Sequence, residues 1–196
     1  MKILIRNHTL SVLIIMLVLV FSGCQKSDSS MLFGNSIIFI PQSTQSGGIT
    51  LNYNVPKSAT DTSFLTKSNF QINSAANKVN IFLGVNRSGL DTYKGYTVNI
   101  STRSDTINQL IAKGLISTTK PVVLLPASAY SLPATITVPD GSYAATYNLS
   151  IDKTILKSYA GKILALCVMI SNPTLYTISS INNQVIVIIN VDYLKL

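Results

Sequence analysis

The sequence predicts an all-β fold, an antiparallel immunoglobulin-like β-sandwich with one or two short helices, on three observations. Apolar and polar residues alternate with a period of two along several short runs, the mark of strands with one face buried. The seven prolines stand between those runs or at their ends, where a missing N–H removes least from a sheet ladder. Charged residues make up only 11% of the chain against 47% hydrophobic, which argues against disorder and for a folded body with a Ser/Thr/Asn-rich surface.

The elements follow in order. Residues 36–41 are an apolar run, and Ile49, Leu51, Tyr53 and Val55 then alternate with Thr50, Asn52 and Asn54. Residues 79–85 and 96–100 repeat the strand signal. Asp105 is placed to cap a helix over residues 106–113, with Ile107, Leu110 and Ile111 on one face and Gly114 just past its end. Two further alternating runs, 134–138 and 143–151, are joined by Pro139-Asp140-Gly141, which reads as a hairpin turn. Asp152 can cap a second helix over 153–159, with Gly161 as its stop. Residues 163–170 are continuously apolar, as in a strand buried on both faces, and 185–191 supply a last strand. Short strands separated by turns are the pattern of a sandwich.

The start of the chain reads differently. Lys2 and Arg6 precede an apolar run from residue 10 to residue 21, broken only by Ser11. That run is shorter than the roughly 20 residues that cross a bilayer and fits the core of a signal peptide. It ends in Phe21-Ser22-Gly23-Cys24, which resembles the lipobox of bacterial lipoproteins. The resemblance implies cleavage between Gly23 and Cys24 and a lipid on the Cys24 thiol. Two or three acyl chains hold firmly where one would leak, at about 0.8 kcal/mol for each buried CH₂. The expected organisation is a signal peptide over 1–23, a lipidated tether over 24–35 and a β-sandwich over 36–196. In lipoproteins of the Bacteroidota type an acidic stretch after the cysteine resembles a surface-export signal, and here Asp28 supplies the carboxylate.

Catalytic signatures are missing from the sequence. The single histidine, His8, leaves with the signal peptide, the chain has no glutamate or tryptophan, and its seven acidic side chains are all aspartates. Asp105 and Asp152 read as helix caps, Asp140 as a turn residue, Asp28 as tether, and Asp61, Asp91 and Asp192 as loop or strand-end residues. No spacing proposes the paired carboxylates of a glycosidase. The tetrad S-x-x-K occurs at Ser117–Lys120 and Ser150–Lys153, but Pro121 follows the first, a strand ends at the second, and the companion motifs of penicillin-recognising enzymes are absent. No phosphate-cradling loop and no transition-metal set are seen, so neither cofactor nor metal is expected. Cys167 reads as a small core residue without a disulfide partner. The net charge of +8 is spread singly along the chain, which sets nucleic acid aside as a partner.

Tyrosines remain as candidate ligand contacts. Tyr93 and Tyr96 flank Lys94-Gly95, and an exposed ring can stack on the apolar face of a sugar while its hydroxyl bonds. Tyr159 and Tyr176 lie near expected loops, whereas Tyr96, Tyr143 and Tyr147 also suit strand positions in a core. Asp105-Thr106-Ile107 resembles a three-residue bacterial O-glycosylation motif.

The stretch VVLLPASAYSLPATITVPDGSYAATYNLSID, residues 122–152, carries the broadest resemblance. Leu125-Pro126, Tyr130-Ser131-Leu132, the Thr-rich run at 135–138, the Asp140-Gly141 turn and the alternating strand after it resemble the domain of unknown function numbered 1735. This is a β-sandwich module of Bacteroidota lipoproteins, often placed ahead of glycan-binding or family 18 glycoside-hydrolase-like domains. The likeness runs from about residue 37 to residue 191 and implies an outer-membrane protein of polysaccharide utilisation. The preferred expectation is therefore a non-enzymatic, lipid-anchored surface module that binds glycan or assists its uptake. The alternative is a structural or adhesive protein that contacts other surface proteins through a strand edge.

Overall fold

A computed structural model of the chain describes residues 35–44, 50–57, 68–89, 93–116 and 118–196. The expected signal peptide, Gly23, Cys24 and all but the last residue of the expected tether lie outside these residues, as do Ile49, Asp61, Asp91 and Ser117.

The described residues form twelve strands in two six-stranded sheets. The first sheet holds β1 (Ile37–Phe39), β3 (Phe70–Asn73), β4 (Lys78–Arg87), β7 (Tyr130–Ser131), β9 (Ala144–Asp152) and β11 (Thr177–Ile178), in the order β11-β1-β4-β9-β7 with β3 also beside β4. The second holds β2 (Asn52–Val55), β5 (Tyr96–Thr102), β6 (Val122–Leu124), β8 (Thr135–Val138), β10 (Ile163–Ser171) and β12 (Gln184–Asn190), in the order β2-β12-β10-β5-β8 with β6 also beside β10. Two helices, α1 (Ser104–Ala112) and α2 (Lys153–Lys157), accompany them.

The alternation that predicts the strands also builds the core. Val79, Ile81, Leu83 and Val85 of β4 face inward with Tyr147, Leu149 and Ile151 of β9, and the register sets Ile81 opposite Leu149. Val98 and Ile100 of β5 and Val185, Val187 and Ile189 of β12 supply buried residues from the second sheet. Because side chains alternate between faces, β10 serves two clusters at once. Leu164, Leu166, Val168 and Ile170 enter the inter-sheet core, while Ile163, Ala165 and Cys167 join Ile186, Ile188 and Ile107 of α1 on the other face. The uninterrupted apolar run of β10 has this physical cause: from Ile163 to Val168 neither face meets water.

The all-β sandwich with two short helices is what the chain forms, and the structure adds detail and three corrections. Strand pairing is mostly antiparallel, but β1–β11, β2–β12 and β6–β10 are parallel. The Pro139–Gly141 turn is not a hairpin: β8 pairs with β5 and β9 pairs with β4, so the chain crosses there from one sheet to the other. Ser142 N–H donates to Pro139 C=O at 3.1 Å and Gly141 takes φ 79°, the geometry of a type II turn. The Asp140 carboxylate accepts from Gly95 N–H and ties this corner to the start of β5. Gly95 has to be glycine there, since a Cβ would lie 2.9 Å from the Val138 carbonyl oxygen.

The second correction concerns Asp105, which does not cap α1. Arg103 occupies the N-cap position, and Asp105 lies in the first turn with its carboxylate 3.0 Å from the Arg103 guanidinium. A carboxylate in that turn still favours the helix dipole, so the residue type fits although the role differs. Asp152 does cap α2, accepting from Thr154 and Ile155 N–H at 2.9 and 3.2 Å. The third correction is Tyr143, which precedes β9 and is 58% exposed rather than core.

Burial leaves a pH signature. It pushes the phenols of Tyr53 and Tyr96 up to about 12 and that of Tyr147 further still. The folded chain thus keeps protons that the unfolded chain releases near the ordinary 10.0. The associated stability is fully present below about pH 10 and is lost as pH rises toward about 12. Phenolate absorbance during alkaline titration should show these three phenols ionising late, together with loss of the β-sheet circular dichroism signal. Tyr96→Phe should remove one late phenol and leave the early phase unchanged; a Tyr96 that titrates early would contradict its burial.

Candidate functional site

One end of the sandwich gathers Tyr93 and Tyr96 around a residue that the sequence does not single out. Arg87 closes β4 and is only 4% exposed. Its Nη1 donates to Ser36 Oγ at 2.6 Å, and its backbone N–H donates to Tyr143 C=O at 2.8 Å. The guanidinium carbon lies 4.8 Å from the Tyr93 ring centre and 4.6 Å from the Tyr176 ring centre, so the cation is held between two aromatic faces.

The rings are fixed in turn by backbone contacts. Lys94 N–H donates to the Tyr176 hydroxyl at 3.2 Å, and that hydroxyl lies 3.3 Å from Lys94 C=O, to which it donates. Gly141 N–H donates to Tyr93 C=O at 2.7 Å. Tyr96 meets the Tyr176 ring edge-on, with centres 5.6 Å apart. Tyr143 stands beside Tyr93, with ring centres 6.4 Å apart and planes inclined at 51°.

The two tyrosines singled out in the sequence therefore come together but differ in character. Tyr93 is 41% exposed and presents its ring to solvent, while Tyr96 is buried and supports Tyr176 from below. Tyr143, read as a core candidate, supplies the second exposed ring. The result is a V-shaped pair of exposed tyrosines, Tyr93 and Tyr143, with Tyr93 seated on a buried cation. Such a pair offers two apolar faces and two hydroxyls, which suits a pyranose ring with its C–H groups on one side and its hydroxyls at the edge.

The other groups with catalytic potential are engaged elsewhere. Asp105 pairs with Arg103, Asp152 caps α2 and lies 3.6 Å from Lys78, Asp140 holds Gly95, and Asp192 accepts from Gly161 N–H at 2.9 Å and pairs with Lys120. Hydrogen bonds hold three of these carboxyls below the usual carboxylate range: Asp105 through Arg103, Asp152 through the Ile155 N–H and Asp192 through Lys120. Cys167 is buried, and burial pushes its thiol up to about 11, which keeps it neutral. Among the described residues no three of His, Cys, Asp and Glu stand close enough together to hold a metal ion.

Arg87 is the structural centre of the site, and its loss is measurable. Arg87→Met should lower stability by about 2 kcal/mol, since two desolvated cation–π contacts are lost, and Arg87→Lys should recover only part of it because an ammonium lacks the planar face. Urea unfolding at neutral pH checks this, and unchanged stability in Arg87→Met would contradict the clamp.

No family model matches the chain, and no curated protein matches it. Solved structures do resemble it. One is described as a "putative carbohydrate binding protein" from Bacteroides ovatus ATCC 8483, 14% identical with a TM-score of 0.50, over 78% of this chain and 36% of that one. A multidomain protein including DUF1735 from Bacteroides ovatus is 16% identical, with a TM-score of 0.41 over 57% of this chain and 34% of that one. An auxiliary nutrient binding protein from Bacteroides thetaiotaomicron VPI-5482 is 18% identical, with a TM-score of 0.43 over 57% of this chain and 36% of that one. The chain spans about a third of each of these structures, and a likeness at such identity is a likeness of fold.

Proposed function

We propose that the chain is a non-enzymatic, lipid-anchored protein of the outer-membrane surface that binds glycan as an accessory to polysaccharide utilisation. The observation that carries this reading is the exposed Tyr93–Tyr143 pair set on a buried, clamped Arg87. A stacking surface fixed before the ligand arrives loses little rotamer freedom on binding, which favours affinity from few contacts. The apolar leader ending in Gly23-Cys24 supports anchoring, and the neighbours described as carbohydrate-binding and nutrient-binding support the ligand class.

Against the strand-edge alternative, edge strands β7 and β11 are two residues long and β2 and β8 are four; in its favour, β7 covers only Ser150 and Ile151 of β9.

Two measurements test the reading. Bacteria expressing the chain should incorporate labelled palmitate into it, and Cys24→Ser should abolish the label; label retained in that variant would remove the anchor from the account. On an array of plant and host oligosaccharides the full chain should bind specifically, and Tyr93→Ala and Tyr143→Ala should each weaken binding by about tenfold, equal to about 1.4 kcal/mol. Binding unaffected by both substitutions would remove the site, and an array without any specific binding would shift the account to a protein partner.

A further inference from the structure

A second candidate site lies at the other end of β10. The N-terminal end of β10 meets the C-terminal ends of β12 and β2 there, with Ile163 opposite Asn190 and Ile189 opposite Val55. Between them opens a cleft of about 590 Å³, within the range of small-ligand sites. Val55, Pro56, Ile163 and Ile188 give it an apolar floor. Its polar lining consists of amides, hydroxyls and two lysines, Lys57 and Lys120, without a carboxylate. Tyr193 stands at the rim, 65% exposed.

Three details give the cleft a chemical preference. Asn190 lines the cleft, and its Oδ1 is buried without a hydrogen-bond partner among the described residues, so a small turn of the amide toward the cleft would offer a ligand hydroxyl an acceptor. Lys57 has no ion-pair partner among the described residues, whereas Lys120 is paired with Asp192 and lies 5.5 Å from the centre of the Tyr193 ring. Lys57 is therefore the cation left to meet an incoming anion. The exposed Tyr193 ring and the apolar floor supply flat apolar surface on two sides, as a sugar ring requires.

We propose that this cleft binds an acidic sugar unit of a glycan, with a ring face on Tyr193, a hydroxyl donating to Asn190 Oδ1 and the acid group on Lys57. A carboxylate on a uronic acid and a sulfate ester present the same chemistry to Lys57, as oxygen-rich anions at the edge of a pyranose. The inference rests on the glycan-binding reading for its ligand class and is independent of the Tyr93–Tyr143 pair, which occupies the opposite end.

The full chain is tested at low ionic strength against an array holding uronate-containing, sulfated and neutral oligosaccharides, and the best acidic ligand and its neutral counterpart are then titrated by calorimetry. The acidic ligand should bind about tenfold more tightly than the neutral one. Lys57→Met should abolish that preference, and Tyr193→Ala and Asn190→Ala should each weaken binding by about tenfold. Lys57→Arg should restore the preference, and Arg103→Gln, which removes an exposed cation beside α1, should leave it unchanged. Binding confined to uronates or to sulfated sugars identifies the acid group. Thermal melting confirms that each variant is folded, and because Lys57 is half-buried and Tyr193 exposed, their variants carry the test if Asn190→Ala is unstable. Acidic ligands that bind no better than neutral ones, or a preference that survives both Lys57→Met and Tyr193→Ala, would overturn the proposal while leaving the Tyr93–Tyr143 site standing. Absence of binding to any glycan would overturn both.

Discussion

The fold depends on one strand that has no wet face. β10 packs into the inter-sheet core through Leu164, Leu166, Val168 and Ile170 and against α1 and its neighbours through Ile163, Ala165 and Cys167. Four of these seven side chains are β-branched or leucine at full burial, and each such side chain contributes about 1.5–3 kcal/mol on leaving water. β10 also pairs with β12 along seven residues, with β5 along four and with β6 along three. A polar substitution at Leu164, Leu166 or Val168 would enter the apolar inter-sheet core, which is why the strand is apolar from Ile163 to Ile170.

A strand committed in this way leaves little exposed side chain for a ligand, and both candidate sites lie at its ends. At one end the problem is a buried cation, since a guanidinium withdrawn from water needs compensation. Arg87 finds it in two aromatic faces and the Ser36 hydroxyl, and this draws together the start of β1, the end of β4, the segment before β5 and the segment before β11. At the other end Lys120 and Asp192 join the segment before β6 to the turn after β12, and Asp192 also holds Gly161 N–H. Polar contacts of this kind contribute little to stability where they are exposed, but they fix the positions of side chains that a binding site needs.

How far the sequence discloses this depends on the range of the interaction. The period of two is local and strong in β4, β9 and β12, and the two-sided burial of β10 is visible as an unbroken apolar run. The cap at Asp152 is equally local, since it bonds to residues two and three positions on. By contrast β6, β7 and β11 are too short to show a period, and their pairing is set by partners far along the chain. The Pro139–Gly141 turn has hairpin chemistry, yet whether the next strand returns to its neighbour or crosses to the other sheet is decided by which sheet buries each apolar face. Arg87 carries no local signal, because its aromatic partners follow it by 6 and 89 positions; only the aromatic residues of the DTYKGY stretch hint at the site. The cleft is less legible still, as Lys57, Lys120 and Asn190 share no motif.

The central claim is that a rigid, two-faced β10 leaves ligand recognition to the ends of the sandwich. A crystal structure of the full chain with a bound oligosaccharide tests it most directly. The account predicts sugar density against Tyr93 and Tyr143, in the Lys57–Asn190 cleft, or at both, with the strands unmoved. Density lying along a sheet face or over α1, away from both ends, would contradict it.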